Sequence, residues 1–203
     1  MRSTEDILLE GIRAGQFGGK SKPHGDHAMG FVAFLDDPTE TFIGHVVDLG
    51  SGAGLPALIL AEAFPLTTWS LVERRSGRTE LLSRAIQRLE MTDRVTIVDA
   101  DAALAGRSAL RATADWVTAR SFGPPSDTAE CAAPFLREGG QLLTSEPFGT
   151  NVDDRWPTRG LLRVGMAFDA EWTTPSGRYV RMHRSGEAID DIPRPGARKK
   201  PLF

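Results

Sequence analysis

The segment Val46 to Pro56, VVDLGSGAGLP, constrains this chain more than any other. A β-branched run that closes on glycine reads as a buried strand. The residues after it, Leu55 to Phe64 (LPALILAEAF), read as a helix, and Pro56 suits a first helical turn. A strand, a tight glycine turn and a helix open a βαβ unit. In open parallel sheets ligands bind at such carboxyl ends of strands.

The alternation continues. Thr67 to Glu73 is a second strand, followed by a helix over SGRTELLSRAIQRLEM, in which Leu81, Leu82, Ala85, Ile86 and Leu89 recur at helical spacing. Arg94 to Val98 and Ala114 to Ala119 are the third and fourth strands. A short helix around Thr128 to Leu136 leads through Glu138-Gly139-Gly140 into a fifth, Gln141 to Ser145. Beyond Pro147, Leu161 to Phe168 and Tyr179 to Arg184 read as two strands joined by WTTPSGR, an antiparallel edge. The expected class is α/β, a mostly parallel sheet with helices on both faces. The expected division is an N-terminal helical or irregular segment (1–44), one domain (45–191) and a basic, proline-rich tail (192–203). Gly15 to Gly30 reads as irregular, and Ile192 to Phe203 as extended.

Composition narrows the classes. With 203 residues and 40% hydrophobic content, the chain can bury one full core. It has no apolar run of membrane-spanning length, and its acidic start is unlike a secretory signal, so a cytoplasmic protein is expected. Cys131 is the sole cysteine, which excludes an internal disulfide and a multi-cysteine zinc site. The net charge of −3 argues against dominant non-specific nucleic-acid binding but permits a local basic face.

The loop Asp48-Leu49-Gly50-Ser51-Gly52-Ala53-Gly54 has Gly-x-Gly-x-Gly spacing, not the Gly-x-Gly-x-x-Gly of dinucleotide binders. Asp48 would repel a pyrophosphate but attract an ammonium or sulfonium group. Glu73 closes the second strand roughly 25 residues later, close to the ~20-residue spacing of a ribose-binding carboxylate. Asp99-Ala100-Asp101-Ala102 could meet an adenine, although a solvated loop explains those aspartates equally well. Together these signals fit S-adenosylmethionine better than NAD. The cofactor residues expected from this pattern are Asp48, Gly50, Ser51, Gly52, Gly54, Glu73, Asp101 and Ala102.

DLGSGAGLP, the acidic strand end Glu73 with its basic helix, TARSFG (Thr118 to Gly123) and the tail IPRPGARKKPL resemble the bacterial small-subunit ribosomal RNA guanine-N7 methyltransferases, the glucose-inhibited-division-B family. The resemblance covers about residues 45–203. It implies a class I S-adenosylmethionine-dependent methyltransferase (Rossmann-like) fold, with seven strands and a reversed last strand. It implies ribosomal RNA or the small subunit as partner, and a guanine entering near Arg120 to Gly123. Two departures stand out. The segment before the loop is short and Gly-rich, with only His27-Ala28-Met29-Gly30 echoing the family. The family's lysine after strand five is replaced within Thr144-Ser145-Glu146-Pro147.

Arg120 and Phe122 are the expected catalytic residues. Arg120 would hold the methionine carboxylate or a substrate phosphate by paired hydrogen bonds, and Phe122 would stack on the base. The bland alternatives are a strand-end surface arginine and a core aromatic. Gly123-Pro124-Pro125-Ser126 lacks the polar acceptor and aromatic that amino-group methylation would need. Arg74, Arg75, Arg78, Arg84 and Arg88 lie on or just before one helix, and Arg178, Arg181 and Arg184 are expected to share one strand face. Arg194, Arg198, Lys199 and Lys200 belong to a tail expected to have no packing role, and so free to track phosphates. His24, Asp26 and His27 weakly suggest a metal, but a polar loop is preferred and no metal is expected. Two other functions compete: a small-molecule methyltransferase, and a non-catalytic S-adenosylmethionine-binding protein.

Overall fold

The computed structural model describes residues 4, 6, 7, 24–35, 42–186, 189, 191–194 and 201–203. Helix α1 (His24–Met29) runs into a 3-10 turn (Gly30–Val32). Then follow β1 (Gly44–Leu49), α2 (Ala57–Ala63), β2 (Thr67–Glu73), α3 (Ser76–Arg88), β3 (Val95–Asp99), α4 (Ala102–Ala105) and β4 (Ala114–Ala119). The chain continues with α5 (Pro125–Ala132), β5 (Leu136–Glu146), α6 (Val152–Arg155), α7 (Thr158–Leu162), β6 (Met166–Thr174) and β7 (Gly177–Arg184).

These strands form one seven-stranded sheet in the order β3-β2-β1-β4-β5-β7-β6. The first five are parallel, and β7 is antiparallel to both β5 and β6. The expected α/β class and reversed last strand are therefore found. The order reverses at β1, which lies between β2 and β4, so the topological switch opens at the glycine turn.

Strand period divides the core in two. Val46, Trp69, Leu71, Trp116, Leu143 and Tyr179 face one way, against α1, α2 and α3. Val47, Val72, Val117, Leu142, Val180 and Met182 face the other way, against α4, α5 and α7. Phe31 from the 3-10 turn is fully buried and packs edge-on against Tyr179. α1 and the 3-10 turn thus pack on one face of the sheet.

The helix expected over Thr128 to Leu136 is α5 and ends at Ala132, so Glu138-Gly139-Gly140 lies within β5, and His24–Met29 of the segment expected to be irregular is α1. Three further expectations need correction. Leu161 and Leu162 end α7, so β6 begins only at Met166 and takes in the Trp172-Thr173-Thr174 that was read as a turn. A leucine pair fits a helix end and a strand start equally well, and the Gly165 break at φ 70 decides. Arg178, Arg181 and Arg184 do not share a face, because a spacing of three crosses a strand of period two. Tyr179 belongs to the α1 side and Val180 and Met182 to the other, so Arg181 sits over the Phe34 ring at 4.4 Å, while Arg184 is buried and donates to the Leu136 carbonyl.

The tail is the third. Residues 195–200, with Arg198, Lys199 and Lys200, lie outside the described residues, as do 15–23 of the Gly-rich segment. The described tail residues on either side are packed. Glu130, fully buried in α5, accepts from Arg194 N at 2.7 Å and from its Nε and Nη2 at 2.9 Å. Leu202 is buried, and its amide donates to Ser126 Oγ at 2.7 Å. A buried glutamate needs a partner, and the tail supplies it.

Candidate functional site

The glycine turn is tied down from within. Gly50 N and Ser51 N donate to the Val72 carbonyl at 2.9 and 3.1 Å, Gly52 N to Glu73 Oε2 at 3.0 Å, and Gly54 N to the Ser51 carbonyl at 2.7 Å. These amides are engaged inside the protein, so the turn offers a ligand clearance rather than donors. Gly50 and Gly54 have left-handed backbones, φ 66 and 93. A Cβ at Gly50 would lie 2.9 Å from the Phe122 ring, and one at Gly54 2.4 Å from Leu58. Gly54 is thus a packing residue under α2, and Gly50 lets Phe122 close over the turn.

Asp48 is 1% exposed at the end of β1. Its Oδ1 accepts from Thr118 Oγ1 at 2.6 Å, and its Oδ2 has no hydrogen-bond partner among the described residues. Burial pushes its pKa up to about 6, against the pull of the Thr118 and Ser51 hydrogen bonds and the Arg120 charge; Glu73 adds to the rise. A buried carboxylate with one oxygen unanswered fits a cationic ligand.

Glu73 is held as a fixed acceptor at the end of β2. Its Oε2 takes the Gly52 amide, its Oε1 takes the Arg75 amide at 2.9 Å, and Arg78 Nη1 stands 3.6 Å away. Each oxygen keeps a lone pair, as a ribose diol would require. Ser51 is buried, with its hydroxyl on the Asp48 carbonyl at 3.0 Å.

A cavity of roughly 260 Å³ runs along this edge, bounded by Gly50, Glu73, Arg74, Ala100, Ala102 and Phe122, among others. Ala102 therefore lines it. Asp101 instead caps α4, its Oδ1 accepting the Ala103 amide at 2.9 Å, with Oδ2 3.8 Å from Arg74. Arg74, Arg75 and Arg78 line the cavity, whereas Arg84 pairs along α3 with Glu80 at 3.9 Å.

Arg120 follows β4 on the α1 side. Burial lowers its pKa, and Tyr179 and Asp48 oppose that shift. His27 is near enough that burial first, then the Arg120 charge and His24, lower its pKa to about 4, so it is neutral at physiological pH. The His27 ring packs against Phe31 and Tyr179 at 5.9 and 5.4 Å, and Tyr179 Oη donates to the His27 carbonyl at 2.8 Å. Among the described residues no three His, Cys, Asp or Glu side chains converge as metal ligands, and no helix is long and apolar enough to cross a membrane.

A second cavity, roughly 360 Å³, lies beyond Phe122 at the ends of β4 and β5. Phe122 and Ser121 line both cavities. Its other walls include His27, Thr144, Glu146, Arg155 and Trp156. Sequence reading singled out neither Arg155, Trp156 nor Tyr179. Tyr179 is the only tyrosine in the chain, and that was the one available signal.

Sheet order, reversed last strand and ligand edge define a class I methyltransferase fold. The Thermotoga maritima structure described as a SAM-dependent O-methyltransferase superposes with a TM-score of 0.60 at 14% identity, covering 90% of this chain and 73% of that one. The family model described as GidB, rRNA small subunit methyltransferase G, matches residues 29–146, and the chain belongs to that family. Relatives named ribosomal RNA small subunit methyltransferase G include one from Chloroflexus aggregans, 39% identical over 122 residues, with 60% of this chain and 50% of the relative covered. Another, from Lacticaseibacillus paracasei, is 33% identical over 147 residues, with 71% and 60% covered. The chain thus spans little more than half the length of these relatives.

Proposed function

We propose that the chain binds S-adenosylmethionine along the carboxyl edge of β1 to β4 and transfers its methyl group to N7 of a guanine in small-subunit ribosomal RNA. The observation that carries the cofactor half is the buried, unanswered Asp48 Oδ2 at the glycine turn, on the same edge as the fixed acceptor Glu73. Family membership supports the acceptor half. S-adenosylmethionine supplies a methyl group on a positively charged sulfur. Asp48 holds the ammonium, Arg120 the carboxylate and Glu73 the ribose hydroxyls, while Ala100 and Ala102 wall the adenine. Residues 45–191, joined by α1 with its His27, form the unit that does this work, in the cytoplasm.

Guanine N7 carries an in-plane lone pair and no proton. It forms the new N–C bond as the C–S bond breaks, so the protein needs no general base. What it must supply is alignment and exclusion of water. Phe122 stacks on the base between the two cavities. His27, neutral and packed among aromatic rings, adds no competing charge.

A small-molecule acceptor is the second reading, favoured by the acidic net charge and by the altered segments before the glycine loop and at the end of β5. Methyl transfer to naked small-subunit RNA, assembled subunits and a metabolite panel separates the two. A 7-methylguanine product in RNA is expected; methylation confined to metabolites would overturn the RNA reading.

A further inference from the structure

The second cavity contains a charged pair that the cofactor does not need. Glu146 ends β5 with its side chain 2% exposed, and its Oε2 accepts from Arg155 Nε on α6. No hydrogen bond reaches Glu146 Oε1 among the described residues. Both residues line the cavity, with Phe122 as a further wall. Arg155 is partly exposed, and an ion pair with one buried partner contributes little to stability, because desolvation of that partner offsets the attraction. Its chemistry suits recognition better. The cavity volume, roughly 360 Å³, is within the small-ligand range of about 300–1,000 Å³.

We propose that the Glu146–Arg155 pair reads the acceptor base and selects guanine by its Watson–Crick edge. The inference rests on the methyl-transfer reading above and names what selects the substrate. A guanidinium beside a carboxylate presents one donor and two acceptors, the order that cytosine presents to guanine. Arg155 donates to O6, and the carboxylate accepts from N1–H and the 2-amino group. Adenine would turn its N1 lone pair against the carboxylate. Hypoxanthine keeps O6 and N1–H but has no 2-amino group. N7 lies on the far side of the purine from N1 and the 2-amino group. A base held by Glu146 and stacked on Phe122 therefore turns N7 away from β5, along the face of that ring toward the first cavity.

The test is equilibrium binding of 5′-guanylate, 5′-inosinate and 5′-adenylate to the full chain, followed by calorimetry without cofactor. Guanylate is expected to bind about tenfold more tightly than inosinate, with adenylate weakest. Glu146→Gln should bring guanylate and inosinate together. A wild-type chain without that preference, or a variant that keeps it, overturns the proposal. Should Glu146→Gln fail to fold, Arg155→Met serves. It removes the O6 donor common to both nucleotides, so their affinities should fall in parallel; a changed ratio overturns the proposal. Methyl transfer by the wild type to small-subunit RNA is scored separately. Transfer with an unchanged guanylate-to-inosinate ratio in the variant sinks the base reader and leaves the function standing. A collapsed ratio without any transfer does the reverse.

Discussion

The two cavities on either side of Phe122 are built in different ways. The first, along β1 to β3, is fixed by backbone: the turn's amides bond to the Val72 and Ser51 carbonyls and the Glu73 carboxylate. The second, at the ends of β4 and β5, is assembled from side chains on α1, β5, α6 and the β6–β7 turn. The ties to the Val72 and Ser51 carbonyls tolerate sequence change because any residue supplies a carbonyl, provided the glycines keep their turn; only the Gly52 tie depends on a side chain, Glu73. Side-chain walls can be re-specified one residue at a time. The fold can thus hold one cofactor geometry while the acceptor changes, and the departure within Thr144 to Pro147 falls on the side where change is easy.

Substitutions at the boundary should break this contrast most. Arg120→Ala is expected to lower turnover about 100-fold or more, the scale of losing alignment in a positioned reaction. Thermal melting should stay close to wild type, and retained turnover would remove Arg120 from the site. Asp48→Asn should weaken S-adenosylmethionine binding about 100-fold at pH 8, read by titration calorimetry. The same change should stabilise the unliganded protein by up to about 3 kcal/mol at that pH, because the folded state raises the Asp48 pKa from 3.8 to about 6. Opposite signs in binding and melting would mark Asp48 as a group held at a cost for its ligand.

The same shift gives a pH profile. The folded protein holds the Asp48 proton more tightly than the unfolded chain does. This carboxyl's contribution to stability is therefore full below about pH 4 and lost as pH rises through about 6. Cofactor affinity should run the other way, rising about tenfold per unit as pH approaches 6 and levelling above it. A flat profile between pH 5 and 7 would show that no cation meets Asp48. The smallest effect tests the tail. Deleting 201–203 removes buried Leu202 and should cost about 2 kcal/mol, visible as a melting shift. Unchanged melting would return the tail to the free basic segment expected from its composition.

Much of the first region was legible from the chain alone. Val46 to Gly50, Thr67 to Glu73 and Ala114 to Ala119 are β-branched or apolar runs bounded by turns, and Asp48 and Glu73 sit at their carboxyl ends because strand register puts them there. The second region was legible only as a departure. Glu146 was visible as an altered residue, but its partner Arg155 comes from a four-residue helix too short for periodicity to reveal. His27 and Tyr179 are 152 positions apart and meet only because β7 inserts beside β5. Side chains that converge through topology leave no local pattern.

Phe122 has a consequence for the order of events. One ring walls both cavities, so a ligand that shifts it on one side changes the room left on the other. The affinities on the two sides are then linked by a single factor that acts equally in both directions. A methyl donor that settles the ring would raise the affinity for the base, and the base would slow the donor's escape by contributing to that same coupling. The spent cofactor, once the methyl is gone, would meet a base that carries a positive charge beside the same ring. The ring would hold that cationic base more firmly than its neutral precursor, so the base would be the slower of the two products to leave.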